Sequence, residues 1–137
     1  MKRAVSRASS VAATGRGVSQ ACLVDGVLYV SGQVSTADRL DAQVNEAWAG
    51  VVGLVRAAGG RAPDIASLTV FVCGTSTDPS RTLASAAWRT LEPLVQASVG
   101  DPAPAVTIVQ VVALARPSMM VEIQAAAHIG TGEGTSA

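Results

Sequence analysis

The sequence predicts an α+β domain with element order β-β-α-β-α-β-β, two helices covering one face of an antiparallel or mixed sheet. Three observations carry this expectation. An Asp25-Gly26 pair separates two short apolar runs, two longer segments repeat their apolar residues at helical period, and three further runs are rich in strand-forming residues. The 137 residues suit one domain, since domains run to roughly 100–200 residues.

Residues 1–14 carry Lys2, Arg3 and Arg7 without the apolar stretch of roughly 7–15 residues that a secretory signal needs. They are expected to be a disordered lead-in, with the domain over 15–129 and a flexible Gly/Ser/Thr tail over 130–137. Residues 19–24 and 27–31 form the first two strands. Asp25-Gly26 closes them as a hairpin, because glycine takes a positive φ at little cost. Gly32 ends the second strand, and Asp41 can cap the helix that follows.

That helix spans 41–58, with Val44, Trp48, Val51, Val52 and Val55 along one stripe. Gly59-Gly60 stops it. Residues 67–74 form a short apolar strand. Asp78 and Pro79 suit the cap and first position of a second helix, whose buried face is Leu83, Ala87, Trp88, Leu91, Leu94 and Val95. It ends near Gly100. Residues 105–114 form a long strand, 115–118 turn the chain, and 119–127 form the last strand. No internal repeat points to a solenoid.

The chain is 49% hydrophobic and only 15% charged, where roughly 25% charged is usual, so it is short of charged surface. In the run from residue 105, Val106, Ile108, Gln110 and Val112 fall on one face and Thr107, Val109, Val111 and Ala113 on the other. An open antiparallel sheet with one wet face should alternate more clearly. The sheet is therefore expected to be covered by helices on one side and by another subunit on the other. The alternative for the low charge is a coding bias, since Lys2 is the only Lys among ten basic residues.

A net charge of +0 argues against a nucleic-acid binder and against a polybasic membrane anchor. The uncharged stretches over 65–77 and 102–115 fall short of the roughly 18 residues a membrane helix needs. Cys22 and Cys73 stand apart, with no Cys/His cluster, so no metal site is expected and a reducing, cytoplasmic setting is. No Gly-rich phosphate loop and no Ser/His/Asp grouping is present, and no cofactor is expected.

Glu122 is the most informative side chain. It interrupts an apolar strand, and the two-residue period places Ser118, Met120, Glu122, Gln124 and His128 on one face, with Met119, Val121 and Ile123 on the other. If the chain turns about Arg116, Gln110 falls opposite Glu122. A carboxyl group on a buried surface gains a raised pKa and can exchange a proton or hold water. The alternative is a Gln–Glu hydrogen bond that fixes subunit register. His128 is the only His but sits where the last strand frays. Ser31-Gly32-Gln33 makes a corner from which Gln33 can enter a cleft, or is a plain bulge. Trp48 and Trp88 lie on helix stripes and read first as core or interface.

The segments Gly17-Val18-Ser19-Gln20-Ala21 and Gly26-Val27-Leu28-Tyr29-Val30-Ser31-Gly32-Gln33 resemble the opening signature of the RidA (YjgF) family. Ala57-Ala58-Gly59-Gly60, Leu68-Thr69-Val70-Phe71-Val72, Pro104-Ala105 and Val121-Glu122-Ile123-Gln124-Ala125 continue the resemblance in order, over roughly residues 15 to 128. It implies a chorismate-mutase-like (ferredoxin-like) fold and a homotrimer with a pocket at each subunit interface. Members of the best-known branch hydrolyse reactive enamines and imines to a keto acid and ammonia. In them an Arg after the Pro-Ala pair clamps the substrate carboxylate, a Glu in the last strand positions water, and a Tyr near the first strand lines the pocket.

Glu122 matches the family Glu, but Val106 stands where the Arg belongs and Val18 where the Tyr is common. The family's Asn before the second-helix aromatic falls near Ser85. A valine cannot replace a charge-assisted pair. Arg16 is the nearest candidate for a substitute cation, the alternative being a solvated side chain. Two readings follow. In the first, the chain is a divergent hydrolase of the enamine/imine deaminase type, in bacterial specialised metabolism. It takes an electrophile without an α-carboxylate, with Glu122 handling water, Gln20, Ser31, Gln33 and Gln110 as polar contacts, and Val18, Val106 and Trp88 as walls. In the second, it is a non-enzymatic trimer that binds a small molecule or a protein. Ribonuclease activity, sometimes attached to this family, gains nothing from neutral charge and 3% aromatics.

Overall fold

The computed structural model describes residues 1–7, 17–74 and 83–130. The described elements are β1 (Lys2–Val5), β2 (Ala21–Val24), β3 (Val27–Gln33), α1 (Leu40–Ala57), a 3-10 turn (Ala62–Asp64), β4 (Ile65–Cys73), α2 (Leu83–Ser98), β5 (Ala105–Val111) and β6 (Val121–His128). The strands form one mixed sheet in the order β1-β2-β3-β6-β4-β5. Only β4 and β5 pair in parallel, across the α2 connection. The expected α+β class, with two helices on one face of a mixed sheet, is what the chain adopts.

Local chemistry explains most element ends. Asp25 and Gly26 take φ of 47° and 83°, the positive values a tight hairpin between twisted strands requires. After α1, Gly59 has φ 93°, its N–H donates to Arg56 O, and Gly60 N–H donates to Val55 O, a Schellman stop. At the other end of α1 the expectation fails. Arg39, not Asp41, holds the cap position and makes no side-chain cap bond, while Asp41 sits inside the first turn and accepts from Arg39 and from Ala42 N–H. Asp78 and Pro79 lie outside the described residues.

Two larger differences concern pairing. Lys2–Val5, expected to be disordered, form the edge strand β1, antiparallel to β2, with Val5 buried over Ala21. The last two strands do not form a hairpin. β6 is inserted between β3 and β4, so Gln110 pairs with Val72 and Glu122 with Phe71. The expected Gln110–Glu122 pair therefore does not exist. The connection over 112–120 carries the chain across β4 instead of folding it back.

The core lies between the sheet and the helices. Val44, Val51, Leu54 and Val55 of α1 and Ala87, Leu91 and Val95 of α2 pack on Leu28, Val30, Leu68, Val70, Val72, Val121, Ile123 and Ala127. Each strand splits its side chains accordingly. On β6, Val121, Ile123, Ala125 and Ala127 are buried, while Glu122, Gln124, Ala126 and His128 occupy the other face. That second face also carries Tyr29, Ser67, Thr69, Phe71, Thr107 and Val109, by register with β6 and β4. No described helix covers it, and Tyr29 is 55% exposed there.

Candidate functional site

The site begins with a bulge. Val30 pairs with Ala125 and Gln33 with Ile123, so β3 spends one more residue than β6 over this span. The irregularity brings the Gly32 backbone beneath Glu122. A Cβ at Gly32 would overlap the Glu122 carboxyl group, so only glycine permits this approach. Phe71 flanks Glu122 on β4, and Val109 follows on β5. The carboxyl is half-buried, and burial alone pushes its pKa above the ordinary glutamate value, with no hydrogen bond or neighbouring charge contributing. A group held this way takes up and releases a proton nearer neutrality than a solvated glutamate does.

Ser31 ties the approach to β2 onto β3. Its hydroxyl donates to Ser19 O at 2.7 Å and its N–H donates to Gln20 O at 2.9 Å. Beside it, Val18, Ser19, Cys22, Tyr29 and Ser31 line a hollow of about 340 Å³. Tyr29, Ser67, Thr69, Gln124 and Ala126 line a second hollow of about 220 Å³ on the uncovered face. Tyr29 stands between the two.

The other expected site residues are placed differently. Gln20 is buried, and its Oε1 accepts the Arg7 N–H at 2.9 Å. Gln33 is 2% exposed and does not enter a cleft on the Glu122 side. Its Nε2 donates to Ser31 O, and its Oε1 lies 2.8 Å from where a Cβ on Gly50 of α1 would stand. Val106 pairs with Leu68 and packs on the core, and Gln110 follows on the same side of β5. Trp88 packs on the core from α2. Val106, Gln110 and Trp88 thus lie on the helix side of the sheet, and Glu122 lies on the other. One chain does not gather them into a single pocket. Arg16 lies outside the described residues.

Gln43 was missed. It is wholly buried on α1, where it hydrogen-bonds the segments leading out of β3 and into β6. The available signal was its place in line with Ala47, Gly50 and Leu54 at helical spacing, a polar residue on a buried stripe. Among the described residues no three His, Cys, Asp or Glu side chains gather as a metal ion would require. No described helix is long and apolar enough to cross a membrane.

Comparison with known proteins sets this geometry in context. The family model described as endoribonuclease L-PSP matches residues 8–129. Among solved structures, RidA from an Antarctic Psychrobacter is 27% identical with a TM-score of 0.74, covering 93% of this chain and 99% of that one. Rv2704 of Mycobacterium tuberculosis, a YjgF/YER057c/UK114-family protein, is 25% identical with a TM-score of 0.72, covering 94% and 100%. Escherichia coli TdcF, crystallised with bound serine, is 21% identical with a TM-score of 0.77, covering 93% and 99%, a likeness of fold. No curated protein matches the chain.

Proposed function

Because the chain belongs to the endoribonuclease L-PSP family, the YjgF/RidA proteins, we propose that it works as a homotrimer with a small-molecule pocket at each subunit interface. There it hydrolyses an imine, enamine or related electrophile that lacks an α-carboxylate. An enamine first tautomerises to the imine. Water then adds to the C=N carbon as the Glu122 carboxylate takes one water proton and passes it to nitrogen. The carbinolamine collapses to C=O as its hydroxyl proton travels the same way to the nitrogen, whose bond to carbon breaks. The products are a carbonyl compound and ammonia. The doubly apolar β5 and the uncovered sheet face support the trimer, because a second copy would remove Tyr29, Phe71 and Val109 from water. The reading requires the assembly to bring Val106 of one chain beside Glu122 of another, since within one chain they lie on opposite faces of the sheet.

The observation that carries the substrate class is the absence of cations from five of the six described strands. None of the strands β2 to β6 contains a Lys or Arg. A carboxylate-bearing ligand, such as the serine bound to TdcF, would find no guanidinium on these five strands to receive it, since Lys2 and Arg3 stand on the edge strand β1. The pairing of Val106 and Val18 with a retained Glu122 also favours a second reading, in which the scaffold binds a small molecule without turnover.

Ammonia release separates the two. The wild type is expected to accelerate hydrolysis of a neutral ketimine and to leave enzymatically generated 2-iminopropionate at its spontaneous rate. Val106→Arg is expected to gain activity on 2-iminopropionate by about ten- to a hundredfold, the worth of one charge-assisted hydrogen-bonded pair. Silence on every substrate, in both proteins, would establish the binding-only reading. Wild-type turnover of 2-iminopropionate as fast as of the neutral ketimine would refute the substrate class.

A further inference from the structure

Gln43 makes three hydrogen bonds from a position with no solvent exposure. Its Nε2 donates to Ala37 O and to Ser118 O, both at 2.8 Å, and its Oε1 accepts the Met120 N–H at 2.8 Å. Both amide hydrogens and one acceptor site are thereby used. The partners belong to two segments. Ala37 follows the Gly32 bulge by five residues, in the stretch that links β3 to α1. Ser118 and Met120 lead into β6, and Met120 stands two residues before Glu122. Met120 O in turn accepts the Cys73 N–H at 2.8 Å, so β4 is held at the same point.

Glu122 continues the second of these segments, and its carboxyl group lies against the backbone of Gly32, from which the first segment leads. We infer that Gln43 is a positioning residue for Glu122, acting from the far side of the sheet by fixing the stretch that leads into Glu122 against the stretch that leads out of Gly32, the residue its carboxyl meets. An apolar side chain of similar volume would fill the space and leave Ala37 O, Ser118 O and Met120 N–H without this partner. β6 would then be free to shift against the bulge. The role bears on catalysis only through the reading of Glu122 given above, so the test observes Glu122 itself and not turnover.

The experiment is a carboxyl-carbon NMR titration of protein labelled at Glu, with the Glu122 signal assigned by its absence in Glu122→Gln. The wild type is compared with Gln43→Met and with Gln43→Asn, which keeps the amide but is one methylene too short to hold all three partners. In both variants the Glu122 midpoint is expected to fall toward the ordinary carboxylate range. The Met120 amide is expected to exchange about tenfold faster, as loss of one buried hydrogen bond implies. Gln43→Asn decides the matter if Gln43→Met does not fold. A Glu122 midpoint unchanged in a folded variant, whether or not Met120 exchanges faster, overturns the inference.

Discussion

Glu122→Gln is expected to lower turnover by at least about a hundredfold, the lower range for loss of a positioned acid–base group, without loss of the fold. Glutamine keeps the shape of the side chain and gives up only its proton chemistry. The same substitution has a second, independent signature. Burial raises the Glu122 pKa above the value of 4.5 for a free glutamate side chain. A carboxyl whose folded pKa is raised contributes stability that is fully present below its unfolded pKa and is lost as the pH rises through the folded one. The wild type is therefore expected to lose stability relative to Glu122→Gln between mildly acidic and neutral pH. Thermal unfolding of the two proteins across that window measures it. Parallel curves would mean that Glu122 is not desolvated, and unchanged turnover would remove it from the chemistry.

Gly32→Ala is the second large effect. The added Cβ meets the Glu122 side chain, which is half-exposed and can turn away, so the cost in stability is expected to stay below the roughly 1–3 kcal/mol of overpacking a closed core. Turnover should fall as well, since relief comes most simply by swinging the carboxyl aside. Gly17→Ala is the control, because a Cβ there meets nothing within 4 Å and needs no positive φ. Denaturant unfolding is expected to show a loss for Gly32→Ala and none for Gly17→Ala. Combining Gly32→Ala with Glu122→Ala should recover most of the loss, because the double variant no longer holds the colliding group. Additive losses in the double variant would show that Gly32 is required for its backbone and not for the approach of Glu122.

The features legible in the sequence are those that short stretches of chain decide. The Asp25-Gly26 hairpin, the Gly59-Gly60 stop and the buried stripe of α1 each follow from the φ range or period of a few neighbouring residues. The two faces of β6 were equally accessible, because Glu122, Gln124 and His128 fall at a two-residue period in an otherwise apolar strand. What was hidden depends on pairing between distant segments. β1 is four residues long with only Val5 buried, too short to show an alternation. Placing β6 between β3 and β4 is decided by burial of Val121, Ile123 and Ala127 under α1 and not by anything near the turn, so the supposed Gln110–Glu122 partnership could not survive. Gln20 and Gln33 looked available for a ligand because sequence does not reveal that Arg7 and Ser31 engage their amides. Glu122 stood out because an ionisable group inside an apolar strand is anomalous whatever its neighbours.

All of this requires that the uncovered sheet face meet other copies of the chain. Sedimentation equilibrium of the wild type beside Ala126→Arg, which sets a charge at the centre of that face between Tyr29 and Ser67, tests the requirement directly. The account predicts three times the mass of one chain for the wild type, and a folded, inactive single chain for Ala126→Arg. A wild type that sediments as one chain and still turns over its substrate would contradict it.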